Sequence, residues 1–108
     1  MEVSQKTKDI SVGNDLFRTN FSGEKIIITE GVNSSPHRTQ IIEAVKNFTD
    51  FNESNDPDGD HTFGSFTIHG NQFFFKIDYF DTEWNYGADP YDNSVFERVL
   101  TVMRSDEY

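Results

Sequence analysis

The sequence predicts an α+β fold: a small antiparallel sheet of about three strands, with about three helices packed on one face. Three observations carry this. Residues 62–80, TFGSFTIHGNQFFFKIDYF, alternate around a Gly-Asn turn, which marks a central hairpin. Residues 36–49 repeat apolar side chains at helical spacing. The whole chain then reads in the order α-β-α-β-β-α. At 108 residues it is expected to form one domain spanning 1–108, large enough for a core.

Residues 1–8 are polar and are expected to fray. From Asp9 to Thr19, Ile10, Gly13 or Asn14, and Phe17 recur near helical spacing, with Leu16 beside them and Gly13 as a weak point. Asn20 and the pair Ser22-Gly23 end this helix. Lys25-Ile26-Ile27-Ile28-Thr29 is a β-branched run, a strand buried on at least one side. The stretch from Gly31 to Pro36 is a turn, in which Ser35 is an N-cap and Pro36 the first helical residue. Ile41, Ile42, Val45, Phe48 and Phe51 then mark the apolar stripe of the helix over 36–49.

Residues 50–61, DFNESNDPDGDH, form a loop by every local sign. In the hairpin that follows, a loop at Gly70-Asn71 pairs Ile68 with Phe73, Phe66 with Phe75 and Gly64 with Ile77. Period-two alternation places Phe66, Ile68, Phe73, Phe75, Ile77 and Tyr79 on a core face. Phe63, Ser65, Thr67, Phe74, Lys76, Asp78 and Phe80 fall on the other, mixed face. Gly64 is expected to relieve packing, because a strand glycine lets another element approach. A second loop, 81–92, carries Trp84, Tyr86 and Tyr91. Asn93 or Ser94 caps a last helix whose apolar face is Val95, Phe96, Val99, Leu100, Val102 and Met103.

The formal net charge is −10, and it is uneven. Residues 50–92 hold ten acids against a single base, Lys76. That sign excludes free nucleic acid as a partner and points to a basic protein surface or a cation. The chain has no Cys, which excludes thiolate chemistry and a disulfide framework. No apolar run is long enough to span a membrane, and MEVSQKTKDISVG has no signal-peptide core, so a cytoplasmic protein is expected.

Asp56-Pro57-Asp58-Gly59-Asp60-His61 is the sharpest chemical motif. Aspartates at alternate positions open a calcium loop, where oxygen ligands converge on one ion. The sixth position is His61 rather than Gly, and the twelfth is Thr67 rather than Glu, so a standard EF-hand is excluded. An irregular Ca or Mg site on Asp56, Asp58 and Asp60 stays open, although no cofactor is required. The other reading is that Asp and Gly serve the turn itself. His61, beside Asp60 and diagonal to Asp78 in the paired register, is an acid–base or metal candidate. It is equally a histidine tying a loop to a strand. No nucleotide-binding or hydrolase signature is present. The aromatics of the second loop either anchor an interface or fold back over the sheet.

Several of these residues carry a family resemblance. Phe48, Phe51, Asn55, Asp56, Pro57, Gly59, His61, Phe63 and Gly64 make an F-x-x-F-x-x-x-N-D-P-x-G-x-H-x-F-G run, and Lys76 to Asp81 read K-I-D-Y-F-D. With these motifs the chain, from about residue 9 onward, resembles small bacterial proteins grouped as a domain of unknown function and found in proteobacterial chromosomes, plasmids and phages. One departure is Asp60, where the family pattern carries a longer Glu. The resemblance implies a mobile-element setting and brings no activity with it.

The expectation is therefore a small acidic, non-enzymatic binding protein. It would inhibit a basic host defence or DNA-processing protein, such as a nuclease, as a DNA mimic or an anti-CRISPR-like inhibitor does. Asp56, Asp58, Asp60, Asp81, Glu83 and Trp84 are the expected contacts. The alternative is a small metal-dependent enzyme or cation-binding domain using the Asp-rich loop, His61 and Asp78. A third reading is a homodimer built on the face carrying Phe63, Phe74 and Phe80.

Overall fold

A computed structural model describes residues 4–21, 25–91 and 96–108. Its elements are α1 (Gln5–Asn20), β1 (Ile26–Ile28), α2 (Glu30–Asn33), α3 (Arg38–Lys46), β2 (Phe63–Ile68), β3 (Asn71–Phe80) and β4 (Glu97–Arg104), closed by a 3₁₀ turn at Ser105–Glu107. The fold is α+β, with a four-stranded mixed sheet in the order β1-β4-β3-β2. β2, β3 and β4 form an antiparallel meander, and β1 adds to β4 in parallel.

The expected closing helix is strand β4. In its run Val99-Leu100-Thr101-Val102-Met103, Val99, Thr101 and Val102 are β-branched, and as an inner strand it packs side chains on both faces. A run apolar on both faces shows no clean period of two, so it passes for a wide helical stripe. The third helix is instead α2, a single turn inside the stretch expected to be a turn. The expected cap at Asn93 or Ser94, together with Val95, Asp92 and the Ser22-Gly23 stop, lies outside the described residues.

α1 begins well before Asp9. Ser4 is its N-cap, with Oγ accepting from Thr7 N at 3.1 Å, and Thr7 Oγ1 meets Tyr91 Oη at 3.1 Å. The polar N-terminal turn is thus helical from Gln5. α3 starts at Arg38 rather than Pro36, because Ser35 Oγ accepts from His37 N at 3.1 Å and forms a local turn ahead of the helix.

The hairpin turn is His69-Gly70, with φ of 49° and 80°. Two consecutive left-handed residues suit a tight hairpin turn. Ile68 therefore pairs with Asn71, Phe66 with Phe73 and Gly64 with Phe75, two positions away from the expected register. A slip of two leaves every side chain on its expected face. Phe73, Phe75 and Ile77 join Leu100, Val102, Val32, Ile41, Val45 and Phe48 in the core between sheet and helices. Each such residue removed from water contributes roughly 1.5–3 kcal/mol. A Cβ on Gly64 would overlap the edge of the Phe75 ring and lie 3.0 Å from Phe48 Cε2. The glycine is a close-approach position, as its place in the strand implies.

Among the described residues, no α-helix packs on the opposite sheet face. Phe63 and Phe74 pack there against each other, with Tyr108 on their edges. Among the described residues, no helix is long and apolar enough to cross a membrane.

Candidate functional site

Both acidic loops leave the same end of the sheet. β2 enters there at Phe63, and β3 runs on past its partner to Phe80, from which the 81–91 loop departs. The two loops are built differently.

The 50–61 loop is tied by its own amides. Asn52 Oδ1 accepts from Ser54 N at 2.9 Å, and Asn55 Nδ2 donates to the carbonyl of Asp50 at 2.7 Å. Asp56 is 5% exposed, and its Oδ1 accepts from His61 N at 3.2 Å. Gly59 and His61 carry φ of 77° and 62°. The left-handed turn at His61 removes its ring from the face that regular alternation would assign. The ring stacks on Phe51 at 3.9 Å and 2°, on the helical side. Its Nδ1 lies 3.0 and 3.1 Å from the two carboxylate oxygens of Asp15, and its Nε2 is 3.7 Å from Asp56 Oδ2. Asp78 stands on the helix-free face, 3.1 Å from Lys76 Nζ. The expected His61–Asp78 pair is therefore not formed, and Asp15 takes its place.

A buried polar stripe on α1 receives this loop. Thr7, Ser11, Asn14 and Arg18 are all buried at helical spacing. Asn14 Nδ2 donates to the carbonyl of Asp60 and to Tyr79 Oη, each at 2.8 Å. Burial, above all, pushes the Tyr79 hydroxyl up to about 12. Arg18, 2% exposed, donates to the carbonyl of Val45 at 2.6 Å and to Asp15 Oδ1 at 2.8 Å. Its guanidinium also lies over Phe51 and Phe75, and its Nε has no hydrogen-bond partner among the described residues. Asp15, Arg18, Phe48, Phe51 and His61 line a cavity of about 360 Å³. Sequence reading passed over Asn14, Asp15 and Arg18 as sites, yet the recurrence 7-11-14-18 was there as a signal.

Asp58 is exposed, and Asp60 is half-buried. Burial first, then the neighbouring Asp56 and Asp58 charges, hold the Asp60 carboxyl above its ordinary range. Among the described residues, no group of three or more His, Asp or Glu is gathered as metal ligands.

The second loop is shaped by Asp81. Its Oδ1 accepts from Glu83 N and Asn85 N, and its Oδ2 from Asn85 Nδ2, at 2.9, 2.9 and 3.0 Å. Those bonds, the Asn85 backbone N–H first, hold its carboxyl below the ordinary range. The resulting turn presents Trp84 at φ 65°. Trp84 and Tyr86 touch Phe80 with ring centroids 5.9 and 5.5 Å away, yet remain 51% and 72% exposed. The aromatics thus partly fold back on the sheet and partly face outward.

A larger cavity of about 530 Å³ lies at the far end of the sheet, beside Ser35, His37, Gln72 and Arg104. Its Arg104 is already forked onto Asp106 at 2.8 and 2.9 Å.

A family model described as a protein of unknown function, DUF3768, matches residues 28–107. No curated protein and no solved structure matches the chain.

Proposed function

We propose, from the premise that this chain belongs to the DUF3768 family, that it is a non-enzymatic binding protein docking on a basic protein surface. The docking surface is the acidic, aromatic end of the sheet. One observation carries the reading: Trp84 and Tyr86 are half or more exposed on a loop that also bears Asp81, Glu83 and Asp89. Exposed aromatics anchor interfaces, and surrounding carboxylates steer a basic partner toward them.

Of the six contacts expected from sequence, Asp58, Glu83 and Trp84 face solvent. Asp56 is buried under His61, Asp60 is half-buried, and Asp81 is occupied in holding the loop. That distribution favours an aromatic-anchored interface over a lattice of phosphate-like charges. A basic nucleic-acid-binding protein of the host, such as a nuclease, has the complementary sign, and a phage or plasmid setting gives its inhibition a purpose.

The test is retention of host proteins on the immobilised chain at low and high salt, beside a variant carrying Asp58→Asn, Glu83→Gln and Trp84→Ala. A single basic nucleic-acid-binding protein, held at low salt, released at high salt and absent from the variant, supports the reading. Retention that ignores both salt and the substitutions sinks it.

A second reading, a small acid–base or cation site at His61, is favoured by the Asp15–His61–Asp56 arrangement beside its cavity. Thermal shifts with calcium, magnesium and manganese test it. A shift abolished by His61→Gln supports it, and none with any of the three ions removes its metal form.

A further inference from the structure

Among the described residues, the outer edge of β2 meets no other strand. The bond from Ile77 N to the carbonyl of Thr62 sets the parity of the hairpin ladder. Thr62, Gly64, Phe66 and Ile68 bond inward to β3, so the peptide groups of Phe63, Ser65 and Thr67 point outward. No hydrogen bond reaches those outward groups among the described residues. The strand FGSFTI has no charged residue and no proline, the usual devices that keep an edge from pairing. β1, the other edge strand, is only three residues long.

We propose that two copies of this chain pair antiparallel through β2, about a two-fold axis at Ser65, to make one continuous sheet. The edge is complementary to itself. With Ser65 opposite Ser65, Phe63 of each copy faces Thr67 of the other, and all three outward residues exchange both of their peptide bonds. Registers centred elsewhere leave at least one outward residue unmatched. The same register sets Phe66 of each copy opposite Gly64 of the other, at the edge of the core face. At the ends, the acidic turn over 56–60 in each copy comes beside the partner's hairpin turn, where His37 and His69 stack at 3.8 Å.

The net charge of −10 on each copy opposes association. Added salt therefore tightens the dimer, whereas it weakens docking on a basic partner. The two proposals fail separately.

Sedimentation at high micromolar concentration reads the mean mass, which is expected to approach twice that of the monomer, and to come nearer to it as salt is added. Ser65→Lys puts like charges directly opposite each other at the axis and is expected to give a folded monomer. Ser65→Pro removes the outward N–H, and with it the hydroxyl that accepts from Gln72 Nε2, but leaves the β2–β3 backbone ladder intact, so it checks the same point without adding charge. In a bonded pair the Cα atoms stand about 5.5 Å apart, within reach of a disulfide. Ser65→Cys is therefore expected to cross-link quantitatively under oxidised glutathione, while Thr39→Cys on exposed α3 does not. A wild-type monomer at that concentration overturns the proposal. So does a dimer that survives both Ser65→Lys and Ser65→Pro and fails to cross-link through Ser65→Cys, because its interface then lies elsewhere.

Discussion

Asp15 grips His61 through both carboxylate oxygens, at 3.0 and 3.1 Å from Nδ1, across a separation of 46 residues. The contact fastens the Asp-rich loop to α1. It also assigns the Nδ1 proton, since a carboxylate accepts and the ring must donate. Asp15→Asn is expected to cost about 1 kcal/mol, discounted for the partial exposure of both groups. Nitrogen-15 spectra of His61 should show the Nδ1-protonated form in the wild type and a mixture in the variant. An unchanged tautomer would mean that Asp15 does not orient the ring.

Arg18 caps the end of α3 from inside the protein, donating to the carbonyl of Val45 while its charge is met by Asp15 and two rings. Arg18→Met keeps the volume but removes the buried donor to that carbonyl and one of the two partners of the Asp15 carboxylate, which keeps His61. The expected loss is about 3 kcal/mol in urea unfolding. Arg18→Lys keeps the charge without the fork and should lose less. Equal losses in the two would assign the effect to the guanidinium fork rather than to charge.

Gly64→Ala places a methyl group where the Phe75 ring already stands. Overpacking of this kind costs about 1–3 kcal/mol. The combined variant with Phe75→Leu, which opens that space, should recover part of the loss in a double-mutant cycle. Additive losses would show that the two positions do not share the space.

Asp60 and Asp81 should give pH dependences of opposite sign. The folded chain holds the Asp60 proton more tightly than the unfolded chain, whose carboxyl has the ordinary value of 3.8. Ionising Asp60 therefore costs stability. The cost is absent below 3.8, grows as pH rises through the raised value, and is complete at neutral pH. Asp60→Asn should raise Tm at neutral pH, with the gain vanishing below 3.8. A gain that persists at acid pH would be unrelated to charge.

Asp81 has a lowered folded value, so its contribution is fully present above 3.8 and is lost as pH falls through that lowered value. Asp81→Ala should loosen the loop carrying Trp84. Tryptophan fluorescence should shift to the red at neutral pH with little change in Tm. A spectrum identical to the wild type would show that the loop holds without its acidic cradle.

Much of the fold is written in local pattern. Ile26–Ile28 reads as a strand from β-branching, and residues 38–46 read as a helix from their apolar stripe. The two faces of the hairpin follow from alternation alone, and they survive a register two positions away from expectation because side-chain direction repeats with period two. The turn falls at His69-Gly70 rather than Gly70-Asn71 because His69 takes a left-handed φ that local pattern assigns to Asn71.

The sequence by itself determined the α+β class, the face assignment of the hairpin and the concentration of acids at the loops, because these rest on periodicity and composition. Tertiary structure alone decided three further things. β4 is a strand because neighbours on both sides bond to its backbone, whatever its apolar run resembles. His61 meets Asp15 rather than Asp78 because one left-handed residue turns it toward α1. Asp56 is buried while Asp58 is not, since Asp56 accepts the His61 backbone N–H and Asp58 faces water. Each outcome depends on which distant group arrives at a given place, and local sequence carries no record of that.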